Sequence, residues 1–246
     1  MILHLRNYVV RLINRIATKM IGSVDWDANG EMRAVSKWLN RKKEDACVID
    51  IGANDGRWAA GVQKNNPHAY LYCFEPIPIF FDKIPANDRL KKINVGLGLL
   101  TKKVTAYSAG GGGSLLPEKQ SVSSKKTKIE FEVQIHNGDD YLAALGINGI
   151  DYIKIDVDGT ELDVILGLQK TIEKFRPAVQ FEFGYFNYYS GTSFYSFYDF
   201  FQKRQYQLHT ITKHGLSKIG KYRTMSSENP INLNYLALPV EKLPLN

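Results

Sequence analysis

Val48-Ile49-Asp50-Ile51-Gly52-Ala53-Asn54-Asp55-Gly56, followed by Cys73-Phe74-Glu75-Pro76, decides the fold. An apolar run ends in an acid and enters a Gly-x-x-x-Gly turn, and a second apolar run, Ala69 to Phe74, ends in another acid 25 residues after the first. This is the layout of a nucleoside-cofactor site on the first two strands of an open α/β sheet. Gly52 allows a sharp turn at the strand exit and lets a ligand lie on bare backbone. Gly56 sits where the next helix, about Arg57 to Asn65, begins to pack on the strand. Glu75, at the tip of the second strand, is placed to accept both hydroxyls of an unmodified ribose. The turn lacks the middle glycine of the dinucleotide fingerprint, and Asp50 and Asp55 would face a pyrophosphate held at that helix N-terminus. An acidic turn suits a cationic, amino-acid-bearing ligand, and S-adenosylmethionine, with its sulfonium and ammonium, fits. The candidate cofactor contacts here are Asp50, Gly52, Asn54, Asp55, Gly56, Glu75 and Pro76.

Outward from this core the pattern alternates strand and helix. Strands are expected at Cys47–Ile51, Ala69–Phe74, Lys92–Gly96, Ile150–Asp156, Ala178–Phe183, Tyr206–Thr212 and Leu233–Leu238, with Val104–Ser108 and Ile129–Ile135 as an antiparallel pair or extension. Helices are expected at about Asn29–Asn40, Ile79–Ile84, Asp139–Leu145, Gly159–Lys174 and Ser193–Arg204. The rhythm predicts a mostly parallel sheet covered by helices on both faces, with one antiparallel strand. Gly110-Gly111-Gly112-Gly113-Ser114 and the polar stretch Ser121–Lys128 read as a loop, in which Ser114 closes over cofactor or acceptor.

The chain has 246 residues and a net charge of +7, from 32 basic and 25 acidic residues, enough for one large α/β domain with a real core. Residues 1–44 are read as an N-terminal amphipathic helical extension and 45–246 as the domain. In residues 2–21, Leu5, Val9, Leu12, Ile16 and Met20 share one stripe, and Arg11, Arg15 and Lys19 a flank. Such a helix can lie on an anionic membrane face, or dock on its own domain or on a second protomer as a homodimer. Aromatic–basic interleaving of an RNA-binding sheet is not evident, so no nucleic-acid partner is expected. Cys47 and Cys73 make no disulfide framework and have no metal-ligand neighbours. With no signal-peptide pattern and no run apolar enough to span a bilayer, a cytoplasmic location is expected, with peripheral contact at the inner membrane face through the N-terminal helix.

Val48–Gly56, Cys73–Pro76, Asn94-Val95-Gly96-Leu97-Gly98, Gly113-Ser114-Leu115, Asp139-Asp140-Tyr141-Leu142 and, above all, Asp151-Tyr152-Ile153-Lys154-Ile155-Asp156-Val157-Asp158-Gly159-Thr160-Glu161 form a set of segments. Together they resemble the FkbM family of S-adenosylmethionine-dependent methyltransferases. The resemblance continues through Pro177 and Glu182 to Asn234–Pro239 and covers about residues 46–240. Asp158 stands where the family usually has Glu, and Asn137-Gly138 where it usually has Thr-Leu. The resemblance implies the Rossmann-like class I methyltransferase fold with a seven-stranded sheet, and adds Asp139 to the cofactor contacts. It also implies O-methylation of a sugar, polysaccharide or glycolipid hydroxyl in bacterial surface glycan biosynthesis. A polyketide or other small-molecule hydroxyl, or a non-catalytic adaptor role, are the alternatives.

The methyl donor is already activated, so catalysis would rest on positioning and on a base for the hydroxyl proton. Asp156, ending strand four, is the first candidate base. Lys154 shares its strand face and could hold it ionised or orient the acceptor. Glu182 ends the neighbouring strand. Asp156, Asp158 and Glu182 together also permit Mg²⁺ held by oxygen ligands, and His136 is a second candidate base. Twelve of the chain's 29 aromatics fall in residues 181–201. Phe194, Phe197, Tyr198 and Phe201 have helical spacing and read as core. Tyr185, Tyr188 and Tyr189, with Asp158, are the expected acceptor contacts, in a loop past strand five.

Overall fold

The computed structural model describes residues 26–42, 45–108, 113–116, 129–228 and 233–243. The N-terminal helix expected over residues 2–21, most of the glycine run and the stretch 121–128 lie outside the described residues.

The strands, in chain order, are β1 (Cys47–Ile51), β2 (Tyr70–Phe74), β3 (Leu90–Ile93), β4 (Gly96–Gly98), β5 (Lys102–Ser108), β6 (Gly113–Ser114), β7 (Ile129–Asn137), β8 (Tyr152–Ile155), β9 (Ala178–Phe183), β10 (Tyr206–Thr212), β11 (Gly215–Lys218) and β12 (Leu233–Pro239). Eight form the main sheet in the order β11-β10-β12-β9-β8-β1-β2-β3. From β3 to β9 the pairings are parallel, β12 runs against both β9 and β10, and β11 folds back on β10. The expected seven strands are therefore present, and an eighth is added at the edge. A turn at Lys213-His214, with Gly215 at φ 118°, returns the chain as a hairpin, so two strands rather than one oppose the rest.

Buried apolar side chains alternate between the two faces. Ile49, Ile51, Ile153, Ile155, Phe181 and Phe183 pack on one side. Val48, Leu71, Tyr152, Ala178, Leu236 and Leu238 pack on the other, against helices Glu31–Leu39 and Arg57–Asn65. Both faces being covered explains why these strands read as nearly continuous apolar runs. The chain order reverses between β1 and β8, and this reversal opens a crevice at their carboxyl ends.

The antiparallel pair β5–β7 belongs to a second, four-stranded sheet, β4-β7-β5-β6, whose Ala106, Val133 and Ile135 pack on Ile77 and Phe80. The expected third strand divides accordingly: β3 stays in the main sheet and β4 leaves it. The helix expected over 159–174 is two helices, Glu161–Gly167 and Gln169–Phe175. A Cβ on Gly167 would stand 2.0 Å from the Gly98 carbonyl oxygen, so β4 sits directly on this helix end, and the chain breaks at Leu168. Tyr185–Tyr189, expected as loop, is a short helix. Among the described residues no helix is long and apolar enough to cross a membrane.

Candidate active site

The β1 turn is built from left-handed residues: Gly52 (φ 81°), Asn54 (φ 51°) and Gly56 (φ 77°). A Cβ on Gly52 would stand 1.9 Å from the Asp156 carbonyl oxygen, so the exits of β1 and β8 touch and only glycine fits between them. The backbone N–H groups of Gly52 and Ala53 both donate to the Phe74 carbonyl, at 2.9 and 3.0 Å, binding the turn to the end of β2. Glu75, one residue on, is buried, and its two carboxylate oxygens accept from the N–H groups of Asn54 and Ile77, each at 2.9 Å. Burial pushes its carboxyl up to about 7, against the pull of those two donors. Ile51, Gly52, Asn54, Glu75 and Pro76 line one side of a cleft, and Ser114, Asp156, Val157, Asp158 and Thr160 line the other.

Lys154, Asp50 and Gln180 are neighbouring positions on β8, β1 and β9 and share one face of the sheet. Lys154 is 4% exposed. Its Nζ lies 3.1 Å from Asp156 Oδ2, 3.5 Å from Asp50 Oδ1 and 5.3 Å from the Trp58 ring centre. Burial disfavours the ammonium, but the carboxylates of Asp156, Asp50 and Glu31 outweigh it and hold Lys154 above its ordinary pKa. Asp50 is fully buried, which raises its pKa. Its Oδ2 has no hydrogen-bond partner among the described residues. The row thus sets one buried cation among several acids, with Asp156 emerging at the cleft.

Oxygens of Asp156, Asp158 and Glu182 lie within 4.8 Å of one another, a donor set able to hold a divalent cation. Asp158 adopts φ 60°, and its carbonyl accepts from Ser114 Oγ at 3.3 Å. Ser114 Oγ also accepts from the Leu116 N–H, so it staples the small sheet over the β8 exit.

Two acids were given no role in the reading of the sequence, although Glu161 lies in the segment that carries the resemblance. Glu161 is fully buried and accepts from the N–H groups of Val157 and Gly159 and from the Asn187 amide. It shapes the loop carrying Asp158 and ties it to helix Tyr185–Tyr189. The signal was its position two residues after Gly159. Glu31 lies beneath the sheet and accepts from Gln180, Asn29 and Asn234. Its only signal was an acid beside the apolar stripe of an amphipathic helix.

Other expected contacts fall elsewhere. Asp139 is not in the cleft: its oxygens accept from the N–H groups of Lys170 (2.9 Å) and Thr171 (2.8 Å), capping helix Gln169–Phe175. Replacing Asp139 by Ala is expected to cost about 1–2 kcal/mol of stability, read by thermal melting, with cofactor affinity unchanged. Asp55 turns outward to Arg57, 2.8 Å away, and Gly56 serves packing, since a Cβ there would meet Ile84 and Pro85 at 2.9 Å. His136 packs on Tyr141, ring centres 4.9 Å apart, and is not among the cleft residues. The hydroxyls of Tyr185 and Tyr189 are 2.8 Å apart, and Tyr188 donates to Glu228 at 3.0 Å with its ring against Phe183. Tyr188 and Tyr189 are exposed but do not line the cleft itself.

Comparison with known proteins gives the family. A family model described as the methyltransferase FkbM domain matches residues 50–208. The chain is 30% identical over 151 residues to the 2-O-methyltransferase NoeI of Sinorhizobium fredii, covering 55% of this chain and 62% of that protein. It is 24% identical over 151 residues to the hexuronic acid methyltransferase AglP of Haloferax volcanii, covering 60% of each. It thus spans about 60% of the length of these curated relatives. The crystal structure of methyltransferase FkbM from Methylobacillus flagellatus aligns over 78% of this chain and 43% of that one, at 14% identity and a TM-score of 0.47. The family match takes in the Gly52 turn, Glu75 and the Lys154–Glu161 segment, and the chain belongs to the FkbM methyltransferase family.

Proposed function

We propose that the protein is an S-adenosylmethionine-dependent O-methyltransferase acting on a hydroxyl of a sugar, as a glycan or glycolipid. The observation that carries this reading is the meeting, in one cleft, of the Glu75 carboxylate with the Lys154-paired Asp156. The cleft fits the cofactor: bare backbone at Gly52, a ribose-accepting carboxylate at Glu75, and acids at Asp156 and Asp158 for its cationic end. A relative named as a 2-O-methyltransferase supports transfer to oxygen, and one named as a hexuronic acid methyltransferase supports a sugar acceptor.

When bound, the cofactor supplies a methyl group activated on a sulfonium. Gly52, Glu75 and Asp158 would hold the cofactor, and Asp156 would take the proton that the acceptor hydroxyl gives up on methylation. Lys154, 3.1 Å away, pairs with Asp156 and fixes the direction of its carboxylate at the cleft. Glu182 and Asp158 flank it and orient the acceptor. Tyr185, Tyr188 and Tyr189, keyed to the Asp158 loop through Asn187 and Glu161, offer ring faces to a sugar. Tyr189→Ala is expected to raise the acceptor KM about threefold to tenfold, with affinity for S-adenosylhomocysteine unchanged.

The test is calorimetric titration with S-adenosylhomocysteine, followed by transfer of label from methyl-labelled S-adenosylmethionine to a panel of glycans and uronic acids. Affinity on the order of micromolar, with label recovered as a base-stable methyl ether, is the expected result. Failure of the folded protein to bind the cofactor product overturns the reading. Label on nitrogen or on a non-sugar hydroxyl overturns the acceptor class.

A further inference from the structure

On the far side of helix Glu31–Leu39, a groove of about 740 Å³ runs between that helix and the β10–β11 hairpin. It shares no lining residue with the cofactor cleft. Arg33 and Lys37, four residues apart, stand on one face of the helix and form one wall. His209 and Lys218 are directly opposed across the antiparallel pair and form the other, with His214 at the turn. Leu216 and Leu243 supply apolar lining, and among the described residues no carboxylate lines the groove.

Several cations elsewhere on this surface are paired with acids, among them Arg176 with Glu241, Arg204 with Glu173, Lys203 with Asp199 and Lys42 with Asp151, although others such as Lys91 and Lys170 stand without a carboxylate partner among the described residues. Among the described residues Arg33, Lys37 and Lys218 have no carboxylate partner, and Arg33 bonds only to the Lys213 carbonyl, at 3.3 Å. Like charges at helical i,i+4 spacing repel, and a concave surface lined by one sign concentrates its field. Such an arrangement works against stability unless an anion fills it. His209 is 7% exposed, and its Nδ1 has no hydrogen-bond partner among the described residues. A guanidinium fork and two ammonium groups facing each other across a groove suit a compact anion with several acceptor oxygens.

We propose that this groove binds a phosphate group, carried as a mono- or diphosphate, through Arg33, Lys37 and Lys218. The source is either a phospholipid headgroup or a soluble phosphate ester, and the two separate experimentally. The inference does not rest on the methyl-transfer reading, since the groove and the cleft are independent.

The test uses the full chain, wild type and carrying Lys37→Glu with Lys218→Glu. Inorganic pyrophosphate is titrated by calorimetry. Co-sedimentation is measured with vesicles of phosphatidylglycerol plus phosphatidylcholine, and with phosphatidylcholine alone. The expected result is that at least one anionic probe binds and loses about tenfold or more in affinity in the double variant, while S-adenosylhomocysteine binding is unchanged. Loss confined to vesicles assigns a lipid headgroup; loss with pyrophosphate assigns a soluble ester. Lys37→Gln with Lys218→Gln serves if charge reversal unfolds the protein. Binding of neither probe, or equal binding by wild type and variant, overturns the proposal. Equal vesicle binding would return membrane contact to the basic segment 2–21.

Discussion

Asp156→Asn is expected to lower methyl transfer by about 10²–10⁴-fold while S-adenosylhomocysteine still binds. The amide keeps the shape of the carboxylate and its place at the cleft, but it cannot take the acceptor proton. Asp156 is the member of the buried charge row that reaches solvent, with its side chain 39% exposed against 4% for Lys154 and 0% for Asp50. Among the described residues only this carboxylate meets both the lysine and the cleft. The companion change Lys154→Met acts differently. It leaves Asp50 and Glu31 buried beside no cation, so it is expected to cost about 3–5 kcal/mol of stability as well as activity. Asp156→Asn leaves Lys154 facing Asp50 and should melt close to wild type. Single-turnover rates and melting curves on the two variants separate the roles. An Asp156→Asn enzyme at full rate would move the base to Glu182.

The sequence made the main sheet legible because its strands obey two simple constraints. Ala178–Phe183 and Tyr206–Thr212 are bounded by turn residues, and both faces of the first are buried, so their limits match the structure. The Gly52 turn was legible because only glycine fits against the Asp156 carbonyl. What stayed hidden depends on partners far along the chain. Asp139 sits in a segment similar to the family's, yet its carboxylate goes to Lys170 and Thr171, N–H groups exposed only because the helix breaks at Leu168. That break falls where Gly98 packs on Gly167, a contact between residues 69 apart that periodicity cannot register. Glu161 and Glu31 were hidden for the opposite reason. Their bonds point inward to backbone and amide donors, and an acid at such a position looks like surface until burial is known. Reading Tyr185–Tyr189 as loop missed the same link, since Asn187 both accepts from the Gly184 N–H, at 2.8 Å, and donates to Glu161.

Affinity for S-adenosylhomocysteine is expected to fall about tenfold between pH 8 and pH 6, and Glu75 is the cause. Burial lifts its carboxyl from 4.5 to about 7 in the free protein, even with two backbone N–H groups favouring the ionised form. The raised value means that the folded chain holds a proton there that the unfolded chain has already lost. The associated stability is therefore present in full below about pH 4.5 and is lost as pH rises through 7. Cofactor binding has the opposite requirement. A carboxylate that accepts two ribose hydroxyls must be ionised, so binding expels the proton, and each pH unit below 7 weakens it. Glu161, also raised to about 7 by burial, adds to the stability slope but not to the binding slope, because its oxygens are taken by the loop and Asn187. Glu75→Gln should flatten the pH dependence of binding and weaken it by about 10–100-fold at pH 8, the loss of hydrogen bonds to a charged acceptor. Glu161→Gln should leave the pH dependence of binding intact and flatten the stability curve instead. Calorimetry in two buffers of different ionisation enthalpy measures the expelled proton directly. Affinity independent of pH in the wild type, or a pH slope surviving in Glu75→Gln, would take the ribose contact away from Glu75.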